Sequence, residues 1–177
     1  MATTHTGKSK SGSKSRSTSA RSGEKNAIQL LKADHREVEG MFSQFEKTNG
    51  MVTKAKLAEQ ICLALKVHTQ IEEEIFYPAA REALSDEDMV DEAVVEHAAA
   101  KDLIAEIEAM EPGEDLFDAK VKVLSEQIEH HVEEEEKEMF PKLQKTDMDM
   151  RALGLRMAER KTELMSSMAR PNGQRVQ

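Results

Sequence analysis

The chain has few of the residues that staple, kink or punctuate a fold: one cysteine, no tryptophan, one tyrosine, four prolines and eight glycines in 177 residues, with aromatics at 3%. A single cysteine, Cys62, excludes an internal disulfide, and with it a disulfide-built scaffold for an oxidising compartment; it reads as a buried, inert thiol. The shortage of glycine, proline and aromatics argues against a turn-rich β fold. No apolar run approaches the roughly 18 to 20 residues of a membrane helix, and the N-terminus lacks the apolar stretch of a secretory signal. The expectation is a cytoplasmic protein with no membrane partner.

What is abundant is alanine, glutamate, lysine, leucine and methionine, the composition of helices. Charge is uneven. Residues 1 to 23 carry Lys8, Lys10, Lys14, Arg16 and Arg21, many serines and no acid, and read as a disordered basic arm. Taking these five positive charges from the net −9 leaves −14 for residues 24 to 177. An acidic body disfavours nucleic acid and suits cations; any weak contact with nucleic acid is confined to residues 1–23.

Apolar residues then recur at helical spacing in four stretches. The first runs through Ile28, Leu31, His35, Val38, Phe42 and Phe45, predicting a helix over roughly 24–47. The second, Leu57, Ile61, Leu65, His68, Glu72 and Phe76, is expected to close near Pro78 and the Ser85-Asp86 break. A third begins at a capping-box-like segment, residues 85–88, and passes Val90, Val94, His97, Lys101, Ile104 and Ile107 before Pro112-Gly113. The fourth is Phe117, Val121, Leu124, Ile128, His131, Glu135 and Met139, ahead of Pro141. Short connections make neighbours antiparallel, so the fold class is all-α: an up-down-up-down four-helix bundle over residues 24–146. A fifth amphipathic stretch within 147–170, with Leu153, Met157, Leu164 and Met168, is expected to be a C-terminal helix on the bundle, and residues 171–177 a frayed tail.

The two halves repeat. His35 and His97 stand 62 positions apart and His68 and His131 stand 63 apart; Asp34 and Glu96 precede the first pair, and the segments after the second pair share the pattern His-x3-Glu-x4-aromatic-Pro. This predicts two helical hairpins about a pseudo-two-fold axis. Residues four apart lie one turn apart on one helix face, so His68 with Glu72, and His131 with Glu135, can share an ion. His35 and His97 enter the same core. Four imidazoles and two carboxylates on apolar stripes would be expensive to bury without compensation. Metal ions supply it; the opposing reading is a buried hydrogen-bond network indifferent to chelators. Six donors suit two ions, about two imidazoles and one carboxylate each, with a glutamate able to bridge and positions left open. Nitrogen and carboxylate donors fit iron, with zinc or manganese behind it, and the absence of thiolate excludes a cysteine-type zinc site. Glu39, one turn after His35, is a candidate for a further carboxylate. His130, about 100 degrees around the helix from His131, faces elsewhere.

At these residues the sequence resembles the hemerythrin family, in its broader HHE cation-binding branch, over roughly residues 25 to 145. The resemblance implies a non-haem di-iron centre in a four-helix bundle, with His35, His68, Glu72, His97, His131 and Glu135 as ligands and the two glutamates as bridges. Oxygen-carrying members place a second histidine where this chain has Lys101, and an aspartate after a four-residue gap where Glu135 follows after three. Those departures point away from a simple oxygen carrier. The expected function is a di-iron protein interacting with O2, peroxide or NO, or sensing or handling iron. A catalase-like or peroxidase-like enzyme and a metal-stabilised interaction module are the other readings.

Overall fold

The computed structural model describes residues 25–84 and 88–168. The basic arm, residues 85–87 of the expected capping segment, and the C-terminal tail lie outside them. The described residues are helical throughout apart from short connections, so the fold is all-α.

Helix α1 (Ala27–Lys47) begins at a capping box: Asn26 Oδ1 accepts from the Gln29 amide at 2.9 Å, and the Asn26 amide donates back to Gln29 Oε1 at 3.1 Å. Three residues connect it to α2 (Met51–Ile71). The rod does not stop at Pro78 but ends at Ala83, beside the expected break at residues 85–86. The chain widens into a π-helical turn, Glu72–Phe76, and continues as α3 (Tyr77–Ala83). Proline has no N–H and its ring collides with the carbonyl four residues back. Widening one turn, with the Tyr77 amide donating to the Glu72 carbonyl, accommodates Pro78 without breaking the rod. The second half does the same. After α4 (Asp88–Glu108) and a loop containing Gly113 at φ +97, α5 (Phe117–Glu134) passes through a π turn, Glu135–Met139, into α6 (Phe140–Leu143) around Pro141.

The helices form a closed ring, α1 against α2, α2 against α4, α4 against α5 and α5 against α1. The fifth helix, α7 (Met150–Met168), lies across α1 and α2 and buries Leu153, Met157 and Leu164. The apolar interior divides into two clusters. One, around Leu31, Ile71, Phe76, Phe140 and Met157, sits at the end that α7 covers. The other, around Phe42, Phe45, Ile61, Ile104, Phe117 and Leu124, sits at the end carrying the inter-helix loops. The polar residues His35, His68, Glu72, His97, His131 and Glu135 are buried as well.

Helix α7 crosses the start of α1 on Gly154, where an added Cβ would lie 2.7 Å from backbone atoms of Lys25, Asn26 and Ala27. Gly154→Ala is expected to lower the unfolding free energy by about 1–3 kcal/mol, the usual cost of overpacking. Gly40, whose added Cβ meets nothing within 4 Å, provides the contrast. Gly40→Ala is expected to raise stability by roughly 0.5–1 kcal/mol. Thermal unfolding of the two variants should therefore move in opposite directions.

Candidate metal centre

The four helices of the ring each deliver one histidine to the same level of the bundle: His35 from α1, His68 from α2, His97 from α4 and His131 from α5. The two glutamates enter at the first residue of each π turn. The structure thus brings all six sequence-predicted residues together. Their donor atoms fall into two sets, each within 4.8 Å: His35, His68, Glu72 and Glu135 in one, and Glu72, His97 and His131 in the other. A transition ion about 2.1 Å from each donor holds opposed donors roughly 4.2 Å apart, so each set is ion-sized.

Glu72 belongs to both sets. Its Oε2 lies 3.2 Å from His68 Nε2 and 3.4 Å from His97 Nε2. Glu135 leans to the first set, with Oε2 at 3.3 Å from His35 Nε2 and 3.8 Å from His131 Nε2. The division is therefore unequal, in contrast to the even split expected from the repeat. Several of these atoms are buried with no hydrogen-bond partner: His35 Nε2, His68 Nε2, both oxygens of Glu72, and Glu135 Oε2. Buried donors and acceptors are normally satisfied. Unmet imidazole nitrogens and carboxylate oxygens facing one another are what a cation site presents, so the residues fit a metal pair. The remaining inward nitrogens, His97 Nε2 and His131 Nε2, lie 3.1 Å apart and contact each other.

Behind the imidazoles stands a ring of carboxylates. His35 Nδ1 donates to Glu136 at 2.9 Å, His97 Nδ1 to Glu73 at 3.1 Å and His131 Nδ1 to Glu96 at 2.7 Å, while His68 Nδ1 lies 3.7 Å from Asp34. The three hydrogen bonds fix their rings so that Nε2 points inward. The arrangement obeys the repeat: the acid before one histidine serves its neighbour's histidine, and the acid after each core glutamate serves a histidine of the opposite hairpin. Three of these acids meet an outer cation, Lys161 on Asp34 at 2.6 Å, Lys101 on Glu73 at 2.5 Å and Arg36 on Glu136 at 2.6 Å. Lys101 is therefore paired with an acid and supports His97 from behind. Glu73 thus supports His97, whereas Glu134 lies near His130 at the surface.

Glu39 is not part of the site. Its side chain is 64% exposed and pairs with Arg36 at 2.6 Å, because residue 39 lies beside the inward stripe of Val38 and Phe42. His130 is also outside, with a 65% exposed side chain close to Glu134 and Glu96 at the surface.

Tyr77 is the functional residue that spacing alone missed. Its buried hydroxyl donates to Glu135 Oε1 at 3.1 Å and lies 3.2 Å from His97 Nε2. The equivalent position in the other half is Phe140, which stacks on His35 with ring centroids 6.1 Å apart. One hydroxyl thus makes the two half-sites inequivalent. The signal was the mismatch itself, Tyr-Pro against Phe-Pro in an otherwise matching repeat.

The electrostatics follow from packing. Burial disfavours the charged form of His131, but the Glu96 hydrogen bond and the nearby Glu135 and Glu72 outweigh it and raise its pKa to about 9. His35 is raised against the same opposition by Glu135, Glu72 and Glu136. Burial also opposes ionisation of Glu135, yet His35, His131 and His68 hold its pKa below the ordinary value. Cys62 is pushed up to about 12, chiefly by burial, and is no nucleophile at neutral pH.

A profile of the Hemerythrin HHE cation binding domain matches residues 26–143. The fold and site define a helical-bundle protein with a buried histidine and glutamate cluster able to hold metal. The chain belongs to the hemerythrin HHE cation-binding family. Among similar proteins, a DNA nickase of Nostoc is 28% identical over 65% of this chain and 32% of its own length. A hemerythrin-like protein of Schizosaccharomyces pombe is 25% identical over 63% of this chain and 56% of its own. The chain thus spans between a third and somewhat over half of these relatives. A crystal structure of a hemerythrin HHE domain-containing protein from Mycobacterium kansasii superposes with a TM-score of 0.68 at 25% identity, covering 81% of this chain and 89% of the other.

Two expectations follow for metal-free protein. His131 and His35 have raised pKa values, so their stabilising contribution is complete below the ordinary histidine value of 6.5 and is lost as pH climbs through about 9. Glu135, Glu136 and Glu96 have lowered values, so theirs is present above 4.5 and is lost as pH falls below it. The urea midpoint of metal-free protein should peak between about pH 4.5 and 6.5. Metal must displace the proton on His131, so uptake at pH 7 should release at least about one proton per chain, as read by calorimetry in buffers of different ionisation enthalpy. Tyr77→Phe removes a buried hydrogen bond to a carboxylate and is expected to cost about 1.5–3 kcal/mol in urea unfolding of metal-free protein.

Proposed function

We propose that this chain is a cytoplasmic non-haem di-iron protein of the hemerythrin type that takes O2, peroxide or NO at its centre. The observation that carries the reading is Glu72, a fully buried carboxylate with both oxygens unpartnered, set between two groups of imidazoles. One ion would be held by His35, His68 and Glu135 with Glu72, and the other by His97 and His131 with Glu72. Four imidazoles and two carboxylates without thiolate suit iron, ahead of zinc or manganese. Bound iron supplies electron exchange and open coordination positions for a small molecule.

The chain's own residues supply the rest. Glu136, Glu73 and Glu96 orient three imidazoles through Nδ1. The two apolar clusters exclude water from either side of the centre. The Tyr77 hydroxyl donates to Glu135 Oε1, leaving Oε2 for the first set, and its oxygen lies next to His97 in the second. The second set has three donors against four in the first. A small ligand is therefore best accommodated on the His97 and His131 side, within reach of the Tyr77 hydroxyl.

Elemental analysis of purified protein, with visible spectra before and after exposure to air, peroxide and NO, tests this directly. About two irons per chain and absorption that responds to those molecules are expected. Zinc alone, or a folded protein without metal, would refute it. Glu72→Ala should reduce bound metal from about two ions to one or fewer while circular dichroism keeps its helical signature.

A further inference from the structure

A cavity of about 80 Å³ reaches the centre between α1 and α2, beneath the end of α7. All four core histidines line it, together with the buried Val38, Leu65 and Ile128 and the more exposed Lys161 and Met165 of α7. At roughly 30 Å³ per water, it has room for two or three water-sized molecules. Its lining is apolar apart from the imidazoles, Thr69 and the outermost acids and lysine. Lys161 is anchored sideways on Asp34 at 2.6 Å. Met165 has no such tie and is 38% exposed; a thioether on an unbranched chain changes rotamer readily.

The other hollow beside the centre is a groove of about 530 Å³ between α1 and α5. It is wider, and both His35 and Glu136 line it. Glu136 is bonded both to His35 Nδ1 and to Arg36 there, and it stands between the groove and the inward nitrogens.

We propose that Met165, one helical turn beyond Lys161, forms the selective opening through which ligands reach the centre, admitting uncharged molecules of two or three heavy atoms and excluding branched organic hydroperoxides. This rests on the di-iron reading and narrows it to a ligand class. Charged species are disfavoured because the apolar throat offers nothing to replace their water. Bulky ones are excluded because the Met165 side chain narrows the way into the cavity. A movable side chain at an opening changes the rates of arrival and departure alike and leaves the equilibrium unaltered.

Stopped-flow binding of NO to iron(II)-loaded protein tests the opening. Met165→Trp, at a partly exposed position, is expected to slow association and dissociation by a similar factor of at least ten with Kd unchanged within twofold. Met165→Ala should speed both and allow tert-butyl hydroperoxide to bleach the centre, which it should not do in the unsubstituted protein. Ser125→Trp, obstructing the α1/α5 groove instead, should leave the rates within twofold. Unchanged rates in Met165→Trp, or equal slowing in Ser125→Trp, would overturn the proposal. Failure of the unsubstituted protein to hold iron would defeat the di-iron reading instead. In that case xenon-pressurised crystals of the protein as purified still decide the passage: a xenon atom between Leu65 and Ile128 supports it, and none there overturns it.

Discussion

Everything else in this bundle is arranged around the burial of six ionisable side chains at one level of a helical core. Each costs several kcal/mol in an apolar medium unless it finds a partner. The chain meets that cost in concentric layers. The Nε2 atoms, those of His35 and His68 unpartnered, and the glutamate oxygens face the middle, carboxylates hold the Nδ1 atoms of three imidazoles from behind, and Lys161, Lys101 and Arg36 neutralise three of the four outer acids from the surface. Charge alternates outward, so no layer is left uncompensated except the innermost, where the cations would sit.

The π turns are the local device that makes this geometry available. In a regular helix a proline at position 78 or 141 would clash with the carbonyl one turn earlier. Both are accommodated by widening the turn that starts at the core glutamate. The same adjustment re-aims that glutamate and brings the following aromatic, Tyr77 or Phe140, against the imidazoles. Helix continuity, ligand direction and aromatic packing are thus set by one four-residue spacing, repeated in both halves.

That is why so much could be read before any coordinates. The 3-then-4 stripes gave the four ring helices to within a few residues, and a histidine on a stripe already specifies inward direction. The six core residues were legible because polar side chains broke an apolar pattern at matching positions in two halves. Glu39 shows the limit: one turn after His35 is a statement about height along the helix, and the few tens of degrees that put it outside depend on how α1 rolls against α5. The widened turns before Pro78 and Pro141 were not legible, because a π turn has no composition of its own. The unequal division of the donors was hidden for a different reason, since it depends on the Tyr77 hydroxyl reaching across 58 positions to Glu135. Lys161 and Met165 were visible only as members of an amphipathic stretch; their place over the centre depends on the crossing at Gly154.

The splitting of the apolar interior has a consequence for how the sequence can drift. The cluster under α7 and the cluster at the loop end are separated by the polar level, and residues without shared partners contribute to stability independently. A change of volume near Met157 asks nothing of Phe117, and the reverse also holds. Substitutions can accumulate at either pole without compensation at the other, whereas the belt between them tolerates change only as a set.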